Sequence, residues 1–392
     1  MITRSVALVI FMLWPVNILL GDGPLWQKEL PSEPNTGCYP CGVVADVLEN
    51  RLLIYGIRMQ TLAGEGDLML WEVNPDGSLR QELRIGYVSK ELALPISTFG
   101  SIALEAEGNI AALGGLDSNT SALSLLVVNR AGGKESVKAM TKPLENHDNI
   151  VIRELLSCDN SILVGGKQGT NGFLIKLDDQ GNEEWYTPFD LGGTEVFTDI
   201  AVESNRVYVA GMTVNIDASN RTGFGSETQN FLLTYDRDGQ LLQEDYFDGV
   251  CSTKPPQLGI LENGNVLLAY DKSADIRRTE LNVRAYSPES KLIWETKVPG
   301  GDGNGPPGYF KILGISTGRF IIGNVANGSE LVIVECSSDG QVIRRWSLGR
   351  VVGPYGKLHL VELGGKGYAV FGTLSHGRIY NVKINICAFP ME

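Results

Sequence analysis

Ser161–Gly166 reads SILVGG and Gly172–Leu177 reads GFLIKL. A short apolar run closes on glycine, a tight loop follows, and a second apolar run leaves it, which is the pattern of a β-hairpin. The same pair of runs recurs seven times along the 392 residues. The first runs close at Gly56, Gly114, Gly165, Gly211, Ala269, Gly323 and Gly372, in LLIYG, NIAALG, SILVGG, RVYVAG, NVLLAY, RFIIG and YAVFG. The second runs read LMLWEV, LSLLVV, GFLIKL, NFLLTY, LNVRAY, ELVIVE and RIYNVK. Successive closing positions lie about 53 residues apart, and a period near 50 with several strands per unit marks a β-propeller. The expectation is an all-β, seven-bladed propeller of four-stranded blades. The architecture stands out in the sequence; an activity does not.

Outward from each hairpin the chain supplies a strand on either side. First strands lie near GVVADVLE, GSIALEA, IRELLSC, TDIAVES, QLGILEN, FKILGIS and LHLVELG. The third strands run into NPDGS, NRAGG, DDQGN, DRDGQ, SPESK and SSDGQ, where Asp-Gly and its relatives favour the positive backbone angles of hairpin turns. Fourth strands follow as LRQELRIG, ESVKAMT, EEWYTPFDL, LLQEDYFDG, KLIWETKVPG and VIRRWSLG, with the polar/apolar mixture of a strand exposed on one side. The seventh repeat ends at NVKINICAFPME without a fourth strand. GPLWQKELP, near the N-terminus, matches KLIWETKVPG and is expected to supply it, so that the last blade has no open edge. Trp26, Trp185, Trp294 and Trp346 all fall in fourth strands, where a large ring anchors one blade on the next.

The run GFLIKLDDQGNEEWYTPFDLGG, followed by NRVYVAG, resembles the exported bacterial and archaeal propellers built on a "liKlD..Gn..W...fGG" repeat. The match is clear around residues 173–211 and degenerate elsewhere. The resemblance implies a seven-bladed propeller in an exported protein and no single activity. The D-x-x-G-x-x-x-W pattern is also reminiscent of quinone-cofactor dehydrogenase propellers, whose dense tryptophan signature most repeats here lack.

The N-terminus reads MITRSVALVIFMLWPVNILLGDG. Arg4, an apolar run to Leu20 and the small Gly21 have the layout of a secretory signal peptide; Pro15 and Asn17 interrupt the run, and it is short for a membrane span. The expected division is a signal peptide over 1–21 and one propeller domain over 22–392, with no span after cleavage and a secreted or periplasmic destination. An uncleaved N-terminal anchor is the alternative. The net charge is −13, which argues against a nucleic-acid partner. The 47 glycines suit a chain of many turns.

Counting back from each closing position reaches the start of the first strand, at one mouth of the central channel. Twelve residues give Arg153, Asp199, Gln257 and Lys311, and Val44 in the first repeat; thirteen give Ser101 and His359, where the hairpin is one residue longer. Such a ring is either a ligand site for an anionic or sugar-like molecule or a water-filled channel with neutralised charges. The three histidines, His147, His359 and His376, lack metal-binding spacing, and no nucleophile elbow, phosphate loop or calcium loop occurs; no cofactor is expected.

Six cysteines in an exported chain favour disulfides. The candidates are Cys38 and Cys41 (in CYPC), Cys158, Cys251, Cys336 and Cys387, with Cys336 and Cys387 at similar third-strand ends of adjacent blades. Fifteen pairings are open to six cysteines. Sequons stand at Asn119, Asn220 and Asn327, and the polar loop Thr213 to Gln229 is the longest between second and third strands. Together these features describe an exported, monomeric binding or interaction module whose partner is a protein or a small anionic or sugar-like ligand. The competing reading is an enzyme, a quinone-linked dehydrogenase or a carbohydrate-active lyase or hydrolase, with its site at the channel mouth. A surface structural protein is the third.

Overall fold

The computed structural model describes residues 19–20, 25–31, 36–59, 66–88, 102–104, 110–114, 122–129, 136–143, 150–158, 161–178, 181–214, 228–249, 255–272, 280–298, 310–326, 330–350, 354–374 and 382–391. Among them the strands form six four-stranded sheets and one five-stranded sheet. Within each four-stranded sheet neighbours pair antiparallel, as in Thr194–Glu203, Arg206–Val214, Thr228–Asp236 and Leu241–Gly249. The chain is an all-β propeller.

The innermost strands are Gly37–Asp46, Ile102–Leu104, Ile150–Cys158, Thr194–Glu203, Gln257–Ile260, Phe310–Gly314 and Pro354–Leu363. Each touches the next in this order, and the last touches the first. The ring closes through the outer edge of the last sheet, where Trp26–Glu29 pairs antiparallel with Val382–Pro390. GPLWQKELP is thus the outer strand its sequence announced.

The expectation of a four-stranded blade for every repeat is corrected in one sheet. Leu19 and Leu20 pair in parallel with Arg344 and Arg345, on the outer side of Val342–Arg350, making a fifth strand. An outermost strand presents unpaired backbone groups that a passing segment can meet. These two leucines belong to the stretch read as a signal peptide.

Burial follows position in the sheet. Second and third strands such as Val266–Asp271 and Glu330–Cys336 are buried nearly throughout, because a neighbouring blade covers each face. The outer strand Leu292–Lys297 alternates between exposed and half-buried residues. The cores lie between blades. One joins Leu267 and Val283 to Phe310, Ile312 and Phe320; another joins Ile321, Ile333 and Trp346 to Leu360, Phe371 and Phe389. At the closure Leu52, Ile54 and Trp71 pack with Tyr368, Val370, Ile386 and Leu30.

The outer-strand tryptophans work between blades. The Trp185 indole N–H donates to the carbonyl of Arg237, and that of Trp294 to the carbonyl of Ser338, at 3.0 and 3.1 Å. Both acceptors are the second residue of the next blade's turn. Gly239 and Gly340, the fourth residues of those turns, have φ of 82° and 84° and lie against the same indoles, where no side chain would fit. Trp346 differs: it is fully buried against Phe389, 5.4 Å between ring centres, and its N–H meets no acceptor among the described residues. The outer strand of the last sheet comes from near the N-terminus, so no hairpin turn stands there to offer a carbonyl.

The expected disulfides are not shown. Among the described residues no disulfide is formed; Cys251 lies outside them. Cys336 and Cys387 are both buried completely, but in different cores on opposite faces of one blade, which rules out a bridge between them. Burial pushes both thiols up to about 12 from 9.0, as apolar surroundings do to a thiol. No helix among the described residues is long and apolar enough to cross a membrane.

Candidate functional site

At the mouth of the channel the inner strands are irregular. Register shifts occur between Pro40 and Gly42, Ile152 and Glu154, Phe197 and Asp199, and Tyr355 and His359. A bulge adds a residue to one strand and re-aims its side chains. Counting a fixed offset from the hairpin glycine cannot see it. Gln257 and Lys311 lie directly opposite Ala269 and Gly323, as the count assumed. In the third repeat the residue opposite Gly165 is Glu154, and Arg153 is the extra residue of the bulge.

Three predicted residues form one network. Asp199 is 3 % exposed. Its carboxylate accepts hydrogen bonds from its neighbour's backbone, Ile200 N at 3.1 Å, and from Leu258 N of the next blade at 2.8 Å. The Lys311 ammonium, from the blade beyond that, meets it at 2.7 Å. Thr198, the bulge residue, donates to the carbonyl of Pro256 at 2.8 Å, and the Gln257 amide also donates to that carbonyl. One carboxylate thus ties three successive inner strands together. Burial raises the Asp199 pKa, with Lys311 pulling against it and Glu154 adding to it. For Lys311 burial lowers the pKa, but the carboxylates of Asp199 and Glu154 outweigh it and hold the ammonium above its ordinary value. The Lys311 side chain keeps 24 % of its surface exposed.

Arg153 is half-buried on the neighbouring inner strand, and burial lowers its pKa. His359 is half-buried opposite Val370, and Val44 is half-buried opposite Leu53. Ser101, His147, His376, Cys251, the three sequons and the body of the 213–229 loop lie outside the described residues. Glu154 is the residue that sequence counting missed, displaced by one position through a bulge that leaves no mark in composition or spacing. Among the described residues no group of three or more His, Cys, Asp or Glu side chains could hold a metal ion.

No protein-family model matches the chain, and no curated protein sequence matches it. Solved structures match by shape. The polysaccharide lyase Uly1 is 10 % identical with a TM-score of 0.56, over 90 % of this chain and 90 % of that one. The extracellular domains 1–2 of Drosophila Semaphorin 1a are 10 % identical with a TM-score of 0.54, over 95 % and 89 %. The β-propeller domain of the trilobed protease from Pyrococcus furiosus is 9 % identical with a TM-score of 0.50, over 91 % and 96 %. At such identities the likeness is one of fold alone. The trilobed protease domain is described by an open velcro topology, whereas here the strand Trp26–Glu29 joins the last sheet.

Proposed function

We propose that this chain is an exported propeller that binds a small anionic or sugar-like ligand at the mouth of its channel. In this reading the five-stranded sheet counts as a blade, giving seven, and the repeats belong with the exported propellers they resemble. The observation that carries the reading is the Asp199–Lys311 pair. A fully bonded, buried carboxylate orients a partly exposed ammonium and keeps it charged, so the lysine is a positioned donor toward the channel. The carboxylate is occupied in holding three strands, which suits binding better than proton transfer.

The support from sequence is the ring of Ser101, Arg153, Asp199, Gln257, Lys311 and His359, with Glu154 added by the bulge. The test is thermal unfolding of the mature protein with sugars, inorganic anions, divalent metals and quinone cofactors, for wild type and for Lys311→Ala and Arg153→Ala. A ligand that raises the melting temperature of the wild type and of neither variant supports the reading. No shift with any of them, or turnover of a sugar or a quinone-coupled dye, overturns it.

A further inference from the structure

The seam between the last and first blades departs from the others. In two seams the outer-strand tryptophan donates to the carbonyl of the second turn residue of the next blade. Between the fourth and fifth repeats a second-strand tyrosine takes that carbonyl instead, Tyr208 to Pro288 at 2.7 Å, and Gln243, in the tryptophan's place, donates to Ser290 O at 2.7 Å. In each of these three seams one donor serves that carbonyl. At the closure Tyr368 donates to the carbonyl of Pro75 at 3.1 Å, and a tryptophan, Trp26, is still present. Its six-membered ring lies against Gly77, φ 79°, as at the other seams. Its indole N–H, displaced from the turn carbonyl, meets no acceptor among the described residues.

Trp26 borders a shallow, open cleft of about 550 Å³, lined also by Asn74, Pro75, Asp76 and Lys366. Lys366 is exposed and makes no ion pair among the described residues. Asp76 uses Oδ1 on the backbone and hydroxyl of Ser78, which leaves Oδ2 as an acceptor. The Lys28 ammonium stands 5.7 Å from the Trp26 ring centre. The cleft thus combines an aromatic wall, two donors without acceptors and one carboxylate oxygen. It lies at the turn end of the sheets, opposite the starts of the inner strands, and is independent of the channel-mouth reading.

We propose that this cleft binds a sugar acid: the carboxylate is held by the Lys366 ammonium and the Trp26 N–H, a ring hydroxyl donates to Asp76, and the ring's C–H face lies on the aromatic wall. A neutral sugar would leave Lys366 unpaired, and a simple carboxylate would leave the wall and Asp76 unused. The test titrates 15N-labelled protein with sodium glucuronate and follows the indole N–H signals, with Trp26→Phe identifying the Trp26 peak. The expected result is a shift of that peak alone with a Kd of about 1 mM. In Lys366→Gln, a change at an exposed side chain that leaves the fold intact, the Kd should rise about tenfold. The proposal is overturned if the Trp26 peak does not move, if it moves equally with glucose or with acetate, or if Lys366→Gln binds glucuronate as the wild type does.

Discussion

Gly211 shows how closely the interior constrains single residues. A Cβ there would stand 2.7 Å from the Val196 carbonyl oxygen and run into the ring of Phe231, which is fully buried. Neither a strand carbonyl nor a locked core ring can retreat, so Gly211→Ala should cost about 1–3 kcal/mol, the usual range for overpacking, read as a lower denaturant midpoint. Ala269, at the matching place in the fifth repeat, has no exposed surface and shows that the constraint is the neighbour's bulk and not the backbone angle. At the channel mouth, Asp199→Asn removes the partner of a mostly buried ammonium. It should destabilise by about 2 kcal/mol, below the 3–5 kcal/mol of a fully enclosed pair because Lys311 is partly wet. Asp199→Asn/Lys311→Met should recover part of that loss, because no charge is then left behind. Both values come from thermal or denaturant unfolding.

At the level of strands and turns, the seams make a comparative prediction. Trp294→Phe loses ring area over Gly340 and the bond to Ser338 O; Trp26→Phe loses similar ring area over Gly77 but no bond to the turn. Trp294→Phe should therefore be the more destabilising by about 1 kcal/mol, the net worth of one hydrogen bond. Equal losses in denaturant titrations would show that the indole bonds contribute nothing. Deleting residues 25–31 strips Val382–Pro390 of its outer partner and removes Leu30 from the closing core, uncovering the residues it packs with, such as Val370 and Ile386. The truncated protein should melt lower and self-associate through the exposed edge, seen as a loss of the monomer peak in size-exclusion chromatography.

Over the whole molecule, many acids are held protonated by burial. Burial raises Tyr235, Tyr270 and Tyr286 far above 10.0, and Cys336 and Cys387 to about 12 from 9.0; Lys311 is raised from 10.5 by its carboxylates against burial. A group whose folded pKa is raised contributes stability that is complete below its unfolded pKa and is lost as pH climbs toward the folded value. The melting temperature should therefore fall steadily from about pH 9 to about pH 11, with protons released on unfolding; a flat profile would contradict the burial of these groups. The repeat length, the hairpin turns, the closing N-terminal strand and the tryptophan anchors were all legible in the sequence, because each rests on local alternation, turn chemistry or a repeated position. The fifth strand at Leu19–Leu20, the bulges that put Glu154 where Arg153 was counted, the separation of Cys336 from Cys387 and the competition between Tyr368 and Trp26 for one carbonyl were not. Each of these depends on how far apart in the chain two segments can be and still meet. Local pattern fixes which residues form strands and turns, whereas a single-residue register shift or a choice between two donors is decided only when the blades pack.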